Sequence, residues 1–289
     1  MAKIKKICIV VQGPLISKGL NAYDYLEEKY NDIIPSGVTA FYSRDYCDFY
    51  DSLLDYFDDI VFSTWEGEEG FGDYSFIYNE KVAPNIAQGG GLLMDNGNLQ
   101  SISSLNGILY FQEKYGDECI VVKIRSDLIF EVDTLYNACE KITNNKINPL
   151  FLMGFYSIHD MVIAGKLRNM REFYTSSLVK KPPVFYNSHF SYVFNYIRCK
   201  YEYFPEMEYG AHDFLAWIAN ELNAGEFKEL PRLIGSFYTN ERKMFVYFNN
   251  SFEPLLERNE FDSLELSWRG RSYKDSSLYR KHFNLQMFR

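Results

Sequence analysis

The sequence predicts an α/β fold with a doubly wound, mostly parallel central sheet and a helical C-terminal cap. Short apolar runs alternate with amphipathic stretches at helical spacing from residue 5 to residue 65, which is typical of parallel strands with crossover helices. After about residue 166 the patterns are mainly helical. We therefore expect a core in residues 1–165 and a helical C-terminal region in residues 166–289. The length fits one large domain or two small ones, and we expect one domain because no internal repeat or low-complexity linker separates the two regions.

The first elements alternate between strand and helix. Residues 5–15, KKICIVVQGPL, form a short buried strand that ends in a Gly13–Pro14 turn. The next elements are a helix in NAYDYLEEKY (21–30), a strand in VTAFYSR (38–44), a helix in DFYDSLLDYF (48–57) and a strand in DIVFSTW (59–65). Because helices connect the three strands, we expect all three to run parallel in one sheet.

A Gly-rich segment, residues 66–96, interrupts this alternation, and long irregular segments in compact domains are often functional. The regular patterns resume with a helix that carries Leu99, Ile102 and Leu105 on one face and ends at Gly116. The later elements are a central strand in CIVVKIRSDLIF (119–130), a helix in 133–142, a strand in PLFLMGFY (149–156), a polar strand edge in SIHDMVIAG (157–165) and helices in 166–178, 188–200 and 212–222.

The composition excludes several classes of protein. A net charge of −9 disfavours nucleic-acid binding, which needs a basic surface. The N-terminal apolar run, ICIVV, is shorter than a signal peptide requires, and no run of about 18 apolar residues occurs, so we expect a cytoplasmic location. The five cysteines form no CxxC pair, and we interpret them as buried thiols rather than as disulfides or metal ligands.

Ligands of doubly wound sheets bind beyond the carboxyl ends of the strands, and this sequence turns polar at those ends. Gly13 permits either a tight turn or a close approach of the backbone to a ligand, and Trp65 offers either core packing or a surface for stacking. Asn96 or Asn98 can cap the next helix, whereas Gln100 adds a further polar side chain to it. The candidate ligand-binding residues at these positions are Gln12, Gly13, Pro14, Arg44, Ser63, Thr64, Trp65, Asn96, Asn98 and Gln100.

Arg125 and Asp127 interrupt the predicted central strand. Alternation along a strand points both side chains one way and Ser126 the other. One interpretation is an ion pair that caps the strand. The other, which we favour, is that Arg125 binds an anionic group such as phosphate, while Asp127 holds a metal ion or a sugar hydroxyl. We expect alanine at either position to abolish turnover and to leave the fold largely intact.

The order of four motifs resembles that of the WavE-type lipopolysaccharide-synthesis proteins. The motifs are IVVQGPL (9–15), VFSTW (61–65), NGNLQSISSLNGI (96–108) and VKIRSDLIF (122–130), so the resemblance covers roughly residues 5–165. It implies a bacterial glycosyltransferase whose core is a nucleotide-sugar-binding domain of the GT-A type, which extends capsule or lipopolysaccharide glycans. The alternatives are a non-catalytic scaffold with the same fold and a sugar-phosphate transferase.

Glycosyl transfer requires a neutralised leaving diphosphate and a deprotonated acceptor hydroxyl. GT-A enzymes typically hold Mn²⁺ or Mg²⁺ with D-x-D, which this sequence lacks. Either Asp127 binds the metal ion alone, or Arg125 supplies much of its charge. The expected catalytic residues are Asp127 and the candidate bases Asp160, Glu206 and Asp213.

We expect a nucleotide sugar as donor and a glycan or lipid-linked glycan as acceptor, with residues 166–289 completing the acceptor side. A basic C-terminal segment is expected to contact the anionic inner-membrane surface peripherally. Its cations are Arg269, Arg271, Lys274, Arg280, Lys281 and Arg289.

Overall fold

The computed structural model describes residues 5–17, 41–81, 85–86, 94–95, 97–153, 157–178, 188–202, 245–268 and 271–272. The strands in these residues are β1 (Ile7–Gln12), β2 (Ile16–Ser17), β3 (Phe41–Tyr42), β4 (Asp59–Trp65), β5 (Ser75–Asn79), β6 (Asn85–Ile86), β7 (Met94–Asp95), β8 (Ile120–Arg125), β9 (Leu128–Ile129), β10 (Asn148–Pro149), β11 (Leu152–Met153), β12 (Ser157–Ile158), β13 (Val162–Lys166), β14 (Ser267–Trp268) and β15 (Arg271–Ser272). The helices are α1 (Cys47–Leu54), α2 (Gly97–Tyr115), α3 (Val132–Glu140), α4 (Leu167–Ser177), α5 (Ser188–Tyr201), α6 (residues 245–251) and α7 (Arg258–Ser263), and Ser43–Tyr46 form a 3-10 helix.

The main sheet has six strands in the order β10–β13–β8–β1–β4–β5. The four strands β8, β1, β4 and β5 run parallel to one another, whereas β13 is antiparallel to β8 and β10 is antiparallel to β13. The sheet is therefore mostly parallel, as predicted, and β8 is an interior strand.

Helices cover both faces of this sheet. On one face, Leu53 of α1 and Leu135 of α3 pack in the same buried cluster as Ile124 of β8. On the other face, Phe111 of α2, Phe173 of α4 and Tyr196 of α5 pack in a cluster with Val10 and Val121. This three-layer arrangement confirms the predicted α/β class.

Helix α2 lies very close to β1 at Gly107. A Cβ atom built on Gly107 would stand 2.4 Å from Cγ1 of Val10, so only glycine permits this contact. The Ser63 hydroxyl donates to the main-chain oxygen of Ser103, so the second turn of α2 lies against the carboxyl end of β4.

Residues near the C-terminus pack into both cores. Phe261 and Leu264 belong to the cluster under α1 and α3, and Phe248 and Phe252 belong to the cluster under α2 and α4. This region is not purely helical, because β14 pairs with β15 and also with β9, directly after the end of β8. In the described part of the chain, no helix combines the length and the apolar character needed to cross a membrane.

The predicted helices in residues 48–57, 98–116, 133–142, 166–178 and 188–200 are confirmed with small shifts at their ends. Those in 21–30 and 212–222 lie outside the described residues. The prediction of buried thiols holds for Cys8, Cys119 and Cys139, whereas Cys47 is partly exposed and Cys199 is exposed.

Two strand predictions were wrong, and two further strands lie in segments that were predicted differently. Of residues 38–44, the described strand β3 has two residues and pairs antiparallel with β2 outside the main sheet, because a 3-10 helix begins at Ser43. Residues 149–156 contain two short strands, β10 and β11, rather than one. Strand β5 lies in the segment predicted to be an irregular excursion, and β13 lies in the segment predicted to be a polar strand edge.

Candidate functional site

Three of the predicted residues stand side by side at the carboxyl edge of the sheet. Gln12 at the end of β1 is in register with Ser63 of β4 on one side and with Arg125 of β8 on the other. Alternation along the strands directs these three side chains to the face that α2 covers, the face of Val10 and Val61. Parallel strands place their carboxyl ends together, and the sequence predicted this convergence correctly.

Arg125 and Asp127 bind each other. The Nε atom of Arg125 donates to Oδ1 of Asp127 at 2.9 Å, and its Nη2 atom donates to Oδ2 at 3.0 Å. The Arg125 side chain is 23% exposed and that of Asp127 is 2% exposed. The structure therefore contains the ion pair that the sequence offered as one of two interpretations.

Two further side chains hold Asp127 in this pair. The indole Nε1 of Trp268 donates to Oδ2 of Asp127 at 3.0 Å, and the hydroxyl of Ser17 donates to the same oxygen at 3.3 Å. The Trp268 ring centroid also lies 5.8 Å from Cζ of Arg125, within the range of a cation–π interaction. The carboxylate is fixed from three directions, and the guanidinium is fixed with it.

The ion pair leaves part of the Arg125 guanidinium unused. Bidentate pairing uses the N–H of Nε and one N–H of Nη2, whereas Nη1 donates no hydrogen bond to any residue that the structure describes. Burial opposes the charge of Arg125, but the nearby Asp127 carboxylate raises its pKa overall, so the guanidinium stays charged. Its outer donors can therefore bind the oxygens of an anion.

A Mg²⁺ or Mn²⁺ ion held by Asp127 does not fit this geometry. Both carboxylate oxygens already accept hydrogen bonds from Arg125, and one of them also accepts from Trp268 and Ser17. A divalent cation at this carboxylate would stand against the Arg125 charge. The described geometry therefore leaves Arg125, rather than a metal ion at Asp127, as the positive charge that an anion would meet here.

Lys123 lies two residues before Arg125 on the same face of β8 and is 1% exposed. Its Nζ donates to the main-chain oxygen of Asp160 at 2.6 Å. Burial lowers the pKa of Lys123 to about 8, although the Asp160 carboxylate acts in the opposite direction. Asp160 itself is 6% exposed, just before β13, and its carboxylate is close enough to contribute to the raised pKa of Arg125.

The turn after β1 is explained by packing rather than by a ligand. Gly13 has φ +124°, and its N–H donates to the main-chain oxygen of Ser63 at 3.1 Å. A Cβ atom on Gly13 would lie 2.9 Å from the Ser126 hydroxyl, which donates to the oxygen of Pro14 at 2.7 Å. Of the two interpretations of Gly13, the structure supports the tight turn.

The Gln12 side chain differs from its neighbours at this edge. Gln12 is 4% exposed, and its amide makes no hydrogen bond with any described residue. A buried amide normally has partners, so this one is a candidate for contact with a ligand.

The polar end of β4 is tied into a network. Ser63 donates to the main-chain oxygen of Ser103 at 2.6 Å and accepts from Asn79 at 3.0 Å, and Asn106 donates to Oδ1 of Asn79 at 2.6 Å. Thr64 donates to Glu68, which also accepts from the main-chain N–H of Leu15. These contacts fix the loops around the edge.

The remaining candidates are dispersed. Trp65 is 6% exposed, which favours the packing interpretation, and Gln100 accepts a hydrogen bond from the Tyr192 hydroxyl at 3.2 Å. Arg44 is exposed in the 3-10 helix and lies over the Tyr42 ring rather than at a strand end of the main sheet. Asn98 lies in the first turn of α2, and Asn96, Glu206 and Asp213 lie outside the described residues.

Sequence reasoning missed Lys123, Trp268 and Ser17. Lys123 had a signal, because a cation inside an apolar strand run shares its face with Arg125. Trp268 had none, since the short strands that bring it to Asp127 show no pattern in the sequence.

Comparison with known proteins adds no assignment at this point. No protein-family model matches the chain. No curated protein matches it either.

Proposed function

We propose that this protein is a glycosyltransferase that moves a sugar from a nucleotide-activated donor to a capsule or lipopolysaccharide acceptor. One observation carries the proposal: Arg125 presents unused guanidinium donors at the carboxyl end of an interior strand, level with Gln12 and Ser63. Nucleotide ligands of doubly wound sheets bind at this edge, and arginine binds phosphate oxygens in pairs. The resemblance of four motifs to WavE-type proteins favours sugar transfer over other uses of a nucleotide.

In this proposal Arg125 neutralises the charge that develops on the leaving diphosphate. Asp127 is then a positioning residue, because it orients Arg125 and does not itself contact the donor. Gln12, the neighbour of Arg125 across the β1–β8 pair, donates from its amide to a second oxygen of the same group. Asp160 is the candidate base that the described residues place near Arg125, and Glu206 and Asp213 are the other two. We place the reaction in the cytoplasm, with a lipid-linked acceptor at the inner-membrane surface.

The second candidate is a non-catalytic protein that binds a nucleotide sugar or a glycan inside a polysaccharide-assembly complex. The closed Arg125–Asp127 pair favours it, since both oxygens of Asp127 already accept hydrogen bonds within the protein. A sugar-phosphate transferase would use the same phosphate contact and would differ only in which bond of the donor breaks.

A donor screen tests the proposal. The melting temperature of the purified chain is measured with UDP, GDP and CMP and with their sugars, in the presence and absence of Mg²⁺ or Mn²⁺. A ligand at a hundred times its Kd adds about 2.7 kcal/mol to the free energy of unfolding, which corresponds to about 5 °C. We expect one nucleotide sugar to produce this shift, Arg125→Gln to lose it, and the exposed control Lys141→Gln to keep it.

Product analysis with the radiolabelled form of that donor separates the candidates. Transfer of the sugar without phosphate supports the glycosyltransferase, and transfer of label from the sugar-bound phosphate indicates a sugar-phosphate transferase. A shift without any transfer supports the non-catalytic protein. No shift with any nucleotide or nucleotide sugar would rule out the donor site at Arg125.

A further inference from the structure

A groove of about 820 Å³ opens at the edge of the sheet where β8 begins, opposite the edge that carries Arg125. Ile120, the first residue of β8, lines it together with Lys166, its register partner in β13. The six residues of β8 separate the groove from Arg125, which is about 17 Å at the usual rise of a strand. The groove is therefore distinct from the proposed donor site.

The lining of this groove is basic, although the chain as a whole carries a net charge of −9. Two of the cations are already balanced, because Lys6 pairs with Asp58 at 2.5 Å and Arg168 pairs with Glu172 at 3.1 Å. The cationic residues of the lining are Lys5, Lys6, Lys166, Arg168 and Lys200, and the acidic ones are Asp117, Glu118 and Glu172.

The other three lysines contact neutral groups. Lys5 donates to the main-chain oxygen of Ile142, and Lys166 donates to Oδ1 of Asn145 at 2.7 Å. Lys200 reaches the Tyr196 hydroxyl at 3.4 Å and lies over the same ring. None of the three is within ion-pairing distance of a carboxylate among the residues described.

The pKa values of two of these three lysines are lowered. Burial lowers the pKa of Lys5 and the nearby Lys166 lowers it further, although Cys139 and Glu140 act in the opposite direction. Burial likewise lowers the pKa of Lys200, although Glu172 acts in the opposite direction, and Lys146 adds to the lowering. Lys5 and Lys166 are half-buried and Lys200 is exposed. An anion that binds beside these lysines favours their charged forms.

We propose that this groove is a second ligand site, which binds a phosphate-bearing anion through Lys5, Lys166 and Lys200. An ammonium group is a compact charge with three rotatable donors, which suits phosphate oxygens that approach from several directions. The volume lies within the range of roughly 300–1,000 Å³ that small-molecule sites occupy. The phosphate belongs either to a free metabolite or to a lipid headgroup, and both present the same chemistry to the three lysines.

Calorimetric titration of the full chain with pyrophosphate tests the site. Lys166→Gln/Lys200→Gln removes two of the three ligands, and Lys81→Gln/Lys141→Gln makes the same change of charge at exposed positions outside the groove. We expect the first pair to weaken binding by about tenfold or more and the second to leave it within about twofold. Equal binding by the wild type and the first pair would overturn the proposal, as would an equal loss in both pairs.

The same titration on Arg125→Gln keeps this site apart from the proposed donor site. Suppose that Arg125→Gln still binds pyrophosphate and that the triple variant Arg125→Gln/Lys166→Gln/Lys200→Gln does not. The binding then belongs to the groove, whatever the outcome of the donor screen. Binding that depends on Arg125 alone would contradict the groove site.

Sedimentation with vesicles identifies the source of the phosphate. If the ligand is a lipid headgroup, the wild type sediments with phosphatidylglycerol vesicles but not with phosphatidylcholine vesicles, pyrophosphate releases it, and Lys166→Gln/Lys200→Gln stays in solution. If the ligand is a free metabolite, pyrophosphate binds and the vesicles do not. If neither pyrophosphate nor phosphatidylglycerol vesicles bind in a way that depends on Lys166 and Lys200, the proposed site is refuted.

Discussion

The indole nitrogen of Trp268 lies 3.0 Å from a carboxylate oxygen of Asp127, although 141 positions separate the two residues in the sequence. The pairing of β14 with β9 creates this contact, because it places Trp268 opposite Leu128, the residue after Asp127. Asp127 in turn holds the guanidinium of Arg125. A residue near the end of the chain therefore helps to set the direction of the cation at the end of β8.

We expect Trp268→Phe to lower the free energy of unfolding by about 1.5–3 kcal/mol, the usual contribution of a hydrogen bond to a charged group. The phenyl ring fills much of the indole volume but donates nothing to Asp127. Urea unfolding monitored by far-UV circular dichroism measures the change. Tyr115→Phe, which removes a hydroxyl 2.8 Å from the less buried Asp59, serves as the control and should cost less. An unchanged urea midpoint in Trp268→Phe would show that the contact contributes nothing.

Alanine at Asp127 is now expected to destabilise the fold, contrary to the expectation from the sequence. It leaves the Arg125 charge in a largely buried position without its partner, and breaking a buried pair costs about 3–5 kcal/mol. Arg125 is 23% exposed, so water offsets part of this cost and we expect about 2–3 kcal/mol for Asp127→Ala. Urea unfolding of Asp127→Ala beside wild type gives the value, and a loss below about 0.5 kcal/mol would contradict a structural role for the pair.

Asp127→Asn separates positioning from metal binding. The amide oxygen still accepts from Arg125, so we expect nucleotide binding to weaken by no more than about tenfold, whereas Arg125→Gln should abolish it. If Asp127 were a metal ligand, Asn would instead remove any dependence of binding on Mg²⁺ or Mn²⁺. Titration of the nucleotide that passes the donor screen, with and without each ion, distinguishes the two roles.

The sequence predicts correctly those strands and helices whose burial follows a local pattern of apolar residues. Strands β1, β4 and β8 are mainly apolar runs, so pattern and structure agree there. Helix α2 spans nearly the predicted residues, but Ile102 and Leu105 of its predicted apolar face are only half-buried, whereas Ser101 and Ser104 are buried. Strand β5 was missed because it lies at the edge of the sheet, and most of its residues are only half-buried. An edge strand of this kind lacks the apolar run that identifies an interior parallel strand.

The candidate site also has one part that the sequence predicts and one part that it does not. The strand ends at Gln12, Ser63 and Arg125 lie side by side because the three strands are parallel. Knowing where each strand ends is enough to predict this, without any knowledge of the side chains. The sequence offered the closure of Arg125 onto Asp127 as one of two interpretations but could not decide between them, because two-residue strands and a distant indole contribute to it. Such pairings depend on the tertiary structure and leave no periodicity in the sequence.

Gly13→Ala is expected to destabilise the protein by about 2–4 kcal/mol. The φ of +124° at this residue is unfavourable for any side chain, and the added methyl group would lie 2.9 Å from the Ser126 hydroxyl. Ser126→Ala removes the clash but not the backbone strain. Therefore the double variant should be more stable than the sum of the two single changes predicts, by about 0.5–1 kcal/mol in a double-mutant cycle. Strict additivity of the two free-energy changes would show that the close contact with Ser126 has no effect.

Lys123 makes the stability of the protein depend on pH in the alkaline range. The ordinary pKa of a lysine is 10.5, and burial lowers the pKa of Lys123 to about 8. Between these pH values the unfolded chain binds a proton that the folded chain does not bind. The free energy of unfolding therefore rises with pH, by at most about 1.4 kcal/mol per unit. Below pH 8 both states are protonated, and the cost of the buried charge is present in full.

Urea unfolding of the wild type and of Lys123→Met at pH 7.5, 8.5 and 9.5 measures this dependence. We expect the wild type to gain stability relative to Lys123→Met as the pH rises, because methionine has no proton to release. Lys5 and Lys200, whose pKa values are also lowered, are present in both proteins and cancel in the difference. The buried tyrosines Tyr50 and Tyr174 have raised pKa values, so they oppose the trend only above about pH 10, where the unfolded chain ionises. Parallel pH profiles for the two proteins would mean that the Lys123 ammonium keeps its charge in the core up to pH 9.5, with Asp160, Arg125 and Asp127 as its charged neighbours.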